Sequence, residues 1–165
     1  LSLGTGFIAM AAARAAAEGQ AVEQVLAVLD DLIPRVRVFA ALDTMEYLRR
    51  SGRVNGLVSG IGNLLNVKPL LKMNNGVASS ERVRTNGRAL RRLVKLVQEL
   101  GDIEELALVH TNAPDRAEAL WRHTQAYYPA IANPLAMDVT SVLGVHLGPG
   151  AGGFACVAAS AGDHK

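Results

Sequence analysis

Val67-Lys68-Pro69-Leu70-Leu71-Lys72-Met73-Asn74-Asn75-Gly76-Val77-Ala78-Ser79-Ser80-Glu81-Arg82-Val83-Arg84 holds the clearest chain reversal in this 165-residue sequence. Asn75 and Gly76 both accept the positive φ that a two-residue hairpin turn requires, so the runs on either side read as paired antiparallel strands. Pro69 has no N–H for a ladder, which predicts an edge position or a bulge for the first of them.

Downstream, Thr85 or Asn86 caps a helix reaching Leu100, with Leu90, Leu93, Val94 and Val97 as its apolar stripe. Leu106 to His110 reads as a strand, Pro114 to Tyr127 as a helix and Ala132 to Val139 as a strand. Thr140 to His146 is a short helix or turn, and Phe154 to Ala159 is the strand that closes the sheet. Upstream, Ser51 to Gly56 is a loop, followed by a glycine-punctuated helix to Leu65. A short helix runs through Met45, Tyr47, Leu48 and Arg50 after Asp43 or Thr44 as its cap. Arg35 to Leu42 opens with period-2 alternation after Pro34 and reads as a strand. Ahead of it, Ser2-Leu3-Gly4-Thr5-Gly6 leads as a loop into an alanine-rich helix ending near Gly19. Gln20 to Leu32 follows as a second helix, with Val22, Val25, Leu26 and Leu29 on one stripe. Six strands separated mostly by helices, with one hairpin, indicate an α/β fold: a two-layer domain on a mixed sheet. The two N-terminal helices stand apart from that pattern.

Half of the residues are hydrophobic and 19% are charged, the balance of a globular chain. A net charge of +2 excludes a molecule that binds polyanions with its whole surface, so any basic function is local. The only cysteine, Cys156, has no partner for an intrachain disulfide, which suits a reducing, cytoplasmic setting. No stretch approaches the ~18 uninterrupted apolar residues of a membrane span. Phe7 to Ala17 comes nearest, but Arg14 breaks it and no charged segment marks it as a signal peptide. The chain opens at Leu1 without methionine, and the natural polypeptide is expected to extend upstream.

The chemistry-bearing stretch is Gly144-Val145-His146-Leu147-Gly148-Pro149-Gly150-Ala151-Gly152-Gly153. Glycine lets a ligand approach backbone N–H groups, and a histidine there can donate to an anionic oxygen. A tight turn feeding a buried strand, with His146 satisfied by a carbonyl, accounts for the same residues. Asp138, Ser141 and His146 can be written as a hydrolase triad, but there is no Gly-x-Ser-x-Gly elbow. A Walker-type phosphate loop lacks its Gly-Lys-Ser/Thr. His110, His123 and His164 have no metal-ligand spacing, so no metal is expected. Arg84, Arg88, Arg91, Arg92 and Lys95 line one side of the long helix and its approach. With aromatic residues at 4% and none interleaved with that stripe, it reads as a solvated face or a dock for an acidic protein, not a nucleic-acid surface.

Several of these stretches, in order, resemble the DegV family. Ser2 to Gly6 resembles the end of the family's serine- and glycine-bearing loop. Leu42-Asp43-Thr44-Met45-Glu46-Tyr47-Leu48, continuing to Gly52-Arg53-Val54, resembles its "TLEYL…GRI" block. Leu64 to Leu71 resembles "LLNIKPIL", Val83-Arg84-Thr85 resembles "KVRT", and Gly144 to Gly150 resembles "GTHTGPG". The resemblance implies a two-domain fatty-acid-binding protein, related in fold to dihydroxyacetone kinase subunits. It would carry a long-chain fatty acid and present the carboxylate to a separate fatty acid kinase subunit. The alternative is an α/β hydrolase or phosphotransferase using His146 and the glycine-rich loop. On the family pattern, His146, Ser2, Gly4, Gly148 and Gly150 contact the ligand, while Arg84 and its neighbour Arg88 meet the kinase. The family's "TSD" and "SGT" segments are absent. Residues 1–33 then correspond to the closing helices of a truncated first domain and residues 34–165 to the second. The fatty acid would be the only bound group, with no cofactor. Self-association through the face left by the missing domain is expected.

Overall fold

The structure, a computed structural model, describes residues 2–52 and 67–160. The helix expected up to Leu65, together with Arg53, Asn55 and Asn66, lies outside the described residues, as does His164. Six strands form one sheet: β1 (Val36–Ala41), β2 (Lys68–Asn74), β3 (Val77–Val83), β4 (Ile103–His110), β5 (Leu135–Asp138) and β6 (Gly152–Ala158). Their spatial order is β3-β2-β1-β6-β4-β5, with only β4 and β5 parallel. The described helices are α1 (Leu3–Ala17), α2 (Val22–Leu32), α3 (Glu46–Arg50), α4 (Asn86–Gln98), α5 (Pro114–Thr124) and α6 (Ser141–Leu147). Short 3₁₀ turns follow α2 and α5. This is the expected α/β fold on a mixed sheet.

Asn75 (φ 45°) and Gly76 (φ 75°) make the β2–β3 turn that the dipeptide requires. Pro69, however, lies on an interior strand, since β2 runs between β3 and β1. It is tolerated because it sits at the start of β2, just past the paired end of β1. There its carbonyl still accepts from Leu42 N–H at 2.8 Å. Phe154 to Ala159 does not close the sheet either. β6 is an inner strand flanked by β1 and β4, and it begins at Gly152, inside the glycine-rich stretch. Gly153 permits that position: a Cβ there would lie 1.8 Å from the Phe39 carbonyl oxygen on β1.

Alternation divides the sheet into two faces. Phe39, Leu70, Leu106, Leu108, Phe154 and Cys156 point to one face and pack under α4 and α5, through Leu93, Leu96, Val97 and Leu120. Each fully buried side chain of this kind contributes about 1.5–3 kcal/mol. The stripe expected on α4 is confirmed for Leu93, Val94 and Val97, with Leu90 packed at its margin. On the opposite face, Val36, Val38, Ala107, Ala155 and Val157 meet Phe7 of α1 and Leu32 of α2. Leu3 to Gly6 are therefore not a loop but the first turn of α1. Gly4 explains its own presence, because a Cβ would come within 2.8 Å of Val38 Cγ2 and 2.9 Å of Val36 Cγ1. The stripe expected to bury α2 is largely open: Val22 and Leu26 are exposed and only Leu32 is buried.

Candidate functional site

Beside α1, on that same face, the sheet leaves a cavity of about 510 Å³. Val38 and Ala40 of β1, Leu71 and Met73 of β2, Ala78 of β3 and Val109 of β4 line it from the sheet. Leu143, His146 and Leu147 line it from α6, with Leu48 of α3 beside them. The three α6 residues share a face because they are three and four positions apart, which turns Val142 and Val145 outward. The lining is apolar apart from Ser2, Lys72 and His146.

His146 Nδ1 is buried and has no hydrogen-bond partner among the described residues. A buried imidazole nitrogen left unpaired costs free energy, and the ring that carries it lines the cavity. Ser2 reaches the same cavity from the N-cap of α1, at φ 54°, and its side chain makes no capping bond. The positive end of a 15-residue helix therefore adjoins the space that His146 faces.

The other sequence-derived site residues act differently. Gly148 (φ 74°) ends α6, and a Cβ there would meet the Tyr47 ring at 2.2 Å. Gly150 (φ 81°) leaves room for the Asp43 carboxylate. Their N–H groups donate to Gly144 O and Thr111 O, both at 2.8 Å, and Ala151 N–H donates to Thr111 Oγ1 at 2.8 Å. The glycines thus serve close packing and tight turns, and the amides of Gly148, Gly150 and Ala151 are already committed.

Arg84 and Arg88 flank Thr85, whose Oγ1 caps α4 by accepting from Arg88 N–H at 3.2 Å. Both arginines are exposed, and their side chains form no ion pair among the described residues. Arg84 borders a polar cavity of about 370 Å³ shared with Asp43, Thr44, Glu46, Arg49 and Lys68. Arg92, read from sequence as part of the same solvated stripe, is instead engaged: it pairs with Glu81 at 2.7 Å and Glu99 at 2.9 Å. The stripe is narrower than its spacing implied.

The alternative triad is not assembled. Asp138 Oδ1 accepts from Asn112 N–H at 2.8 Å and lies 3.5 Å from His110 Nδ1, while His146 Nδ1 has no carboxylate partner among the described residues. Among the described residues there is no cluster of three or more potential metal ligands, and no helix is long and apolar enough to cross a membrane. Sequence reasoning missed Thr111 and Arg116, which hold the glycine-rich stretch from behind. Neither carries a motif signal, because both meet it only through tertiary contacts.

Comparison with known proteins adds a family to this geometry. A family model described as "Uncharacterised protein, DegV family" matches residues 1–159. A DegV domain-containing protein of Streptomyces coelicolor is 33% identical over 153 residues, covering 91% of this chain and 54% of that protein. The fatty acid binding DegV family protein of Streptococcus agalactiae superposes with TM-score 0.80 at 28% identity, covering 94% of this chain and 56% of that one. DegV of Bacillus subtilis, described as a fatty acid binding protein, superposes with TM-score 0.78 at 31% identity, with coverages of 94% and 57%. The chain spans about half the length of the relatives it matches. With a family match across almost its whole length and a shared sheet and helix layout, the chain belongs to the DegV family.

Proposed function

We propose that this chain is the ligand-anchoring part of a carrier that holds a long-chain fatty acid and presents its carboxylate to a separate fatty acid kinase subunit, without catalysing a reaction itself. One observation carries the reading: an apolar cavity of about 510 Å³ is lined by His146, whose buried Nδ1 has no partner among the described residues. Its volume is that of ordinary small-molecule sites. Methylenes contribute about 0.8 kcal/mol each on burial, while a carboxylate tolerates burial only when paired. The cavity wall suits the first and His146 suits the second. The fatty acid binding described for the Streptococcus agalactiae and Bacillus subtilis proteins supports the same assignment.

In this reading His146 donates to the carboxylate, and Ser2 adds a hydroxyl at the N-terminal end of α1. Gly4 lets α1 approach Val38 of the wall, while Gly148 and Gly150 form the turn that follows His146. Arg84 and Arg88 form the kinase contact. The fatty acid is the only bound group, with no cofactor, metal or nucleic acid. Residues 1–33 act as the closing helices of a first domain and residues 34–165 as the second domain. Buried, unpaired Cys156 suits a reducing, cytoplasmic location.

The test is mass spectrometry of lipid extracted from the chain purified without added ligand, and from an upstream-extended polypeptide. A stoichiometric fatty acid is expected, and His146→Ala should weaken its retention about tenfold, the loss of one charge-assisted hydrogen bond. Blank extracts from both polypeptides would end the fatty-acid reading.

A further inference from the structure

Among the described residues no hydrogen bond holds His146 Nδ1, so the backbone beneath the ring sets its position. That backbone is α6, seven residues long, which ends one position after His146 and is capped by Gly148. One buried residue from another element holds the segment that follows. Thr111, 6% exposed at the end of β4, donates its hydroxyl to Gly148 O at 2.5 Å and accepts from Ala151 N–H at 2.8 Å. Its own N–H donates to Ala151 O at 2.9 Å, and its carbonyl accepts from Gly150 N–H at 2.8 Å. Four hydrogen bonds from a single threonine thus fix residues 148–151.

A second brace lies on the outer side. The Arg116 guanidinium of α5 donates to Gly150 O and, at 3.1 Å, to Asp43 Oδ1, and also to Asn86 Oδ1 at 3.2 Å. Lys68 Nζ holds the same Asp43 oxygen at 3.1 Å. Gly152 leaves room for the Arg116 stem, since a Cβ there would lie 2.7 Å from Arg116 Cδ. The segment that follows α6 is therefore pinned from the end of β4 and from α5, which packs on the opposite face of the sheet.

We propose that Thr111 is the positioning residue for His146, with Arg116 as its outer brace, and that together they set where the imidazole meets a carboxylate in the cavity. The inference rests on the fatty-acid reading for its ligand but not for its geometry. Thr111→Val keeps the side-chain shape and removes the hydroxyl, whereas Thr111→Ser keeps the hydroxyl.

Affinity for a long-chain fatty acid and for the fatty alcohol of the same length separates grip from enclosure, since the alcohol has no carboxylate. Thr111→Val should weaken the acid about tenfold and leave the alcohol within about twofold, Thr111→Ser should restore the acid, and Arg116→Met should weaken it about threefold. Equal losses for acid and alcohol would reduce Thr111 to a purely structural role and overturn the proposal. The ring resonances of His146, assigned by their loss in His146→Ala, give a readout without ligand. They should move in Thr111→Val and return in Thr111→Ser, and unchanged resonances would also overturn it. If Thr111→Val does not fold, Arg116→Met carries the same comparison through its threefold loss for the acid alone. A wild-type chain that takes neither ligand would sink the functional reading alone, and the resonances would still decide the positioning.

Discussion

Glu81 on β3 meets two cations at once, Lys72 Nζ and the Arg92 guanidinium, each at 2.7 Å. Hydrogen bonds from Arg92 first and Lys72 next outweigh partial burial and hold its carboxyl at about 2. The folded value is below the unfolded one, so this contribution is present above the ordinary carboxylate range and lost as pH falls towards about 2. Glu81→Gln should cost about 1–2 kcal/mol near neutrality after allowance for solvent screening. The difference in thermal midpoint from wild type should narrow by more than half near pH ~3. A difference that stays constant down to that pH would rule the linkage out. Sequence spacing concealed this network because Arg92 and Glu81 lie eleven residues apart on different elements. His146 was easier to single out, as the one ring donor in a run of glycines. That its Nδ1 has no partner among the described residues was visible only in the tertiary structure.

Elements were legible where local chemistry determines them. Asn75-Gly76 requires its turn whatever surrounds it, and the α4 stripe follows from helical period alone. The neighbours of each element were not legible. Pro69 suggested an edge or a bulge, yet β2 is interior, and the missing donor is tolerated because it falls beyond the paired end of β1. The last strand suggested closure, yet β6 is inserted between β1 and β4, where Gly153 lets backbones approach. The β3–α4 junction is the element whose function rests most on exposure. Arg84 and Arg88 stand there without acidic partners among the described residues, as a dock for an acidic surface would require. Under the proposed carrier function, reversing both charges with Arg84→Glu and Arg88→Glu should lower phosphoryl transfer by a fatty acid kinase subunit about tenfold and leave fatty-acid affinity unchanged. Loss of lipid affinity instead would make the junction structural.

At the scale of the molecule, the chain leaves apolar surface uncovered. Val22 and Leu26 on α2 are 69% and 54% exposed, and Val142 and Val145 on α6 are 69% and 61% exposed. Such surface favours association, and the relatives are nearly twice as long as the stretch they share with this chain. The chain should therefore show a solution mass that rises with concentration, measured by sedimentation. Val142→Asp combined with Val145→Asp should shift it towards monomer. A strictly monomeric mass at high concentration would count against this.

Sequence alone determined what depends on neighbours along the chain: the hairpin, the long amphipathic helix, the α/β alternation, the unpaired cysteine and the family resemblance that pointed to a bound fatty acid. Turn φ values and helical period are local, so their causes can be read in a dozen residues. Only the tertiary structure decided the order of strands, the packing of α1 on the sheet, and the cavity that brings Ser2 and His146 together across the chain. It alone showed that Thr111 and Arg116 hold the glycine-rich stretch from distant elements. Those features arise from contacts between residues tens of positions apart, and such contacts leave no periodic trace in the sequence.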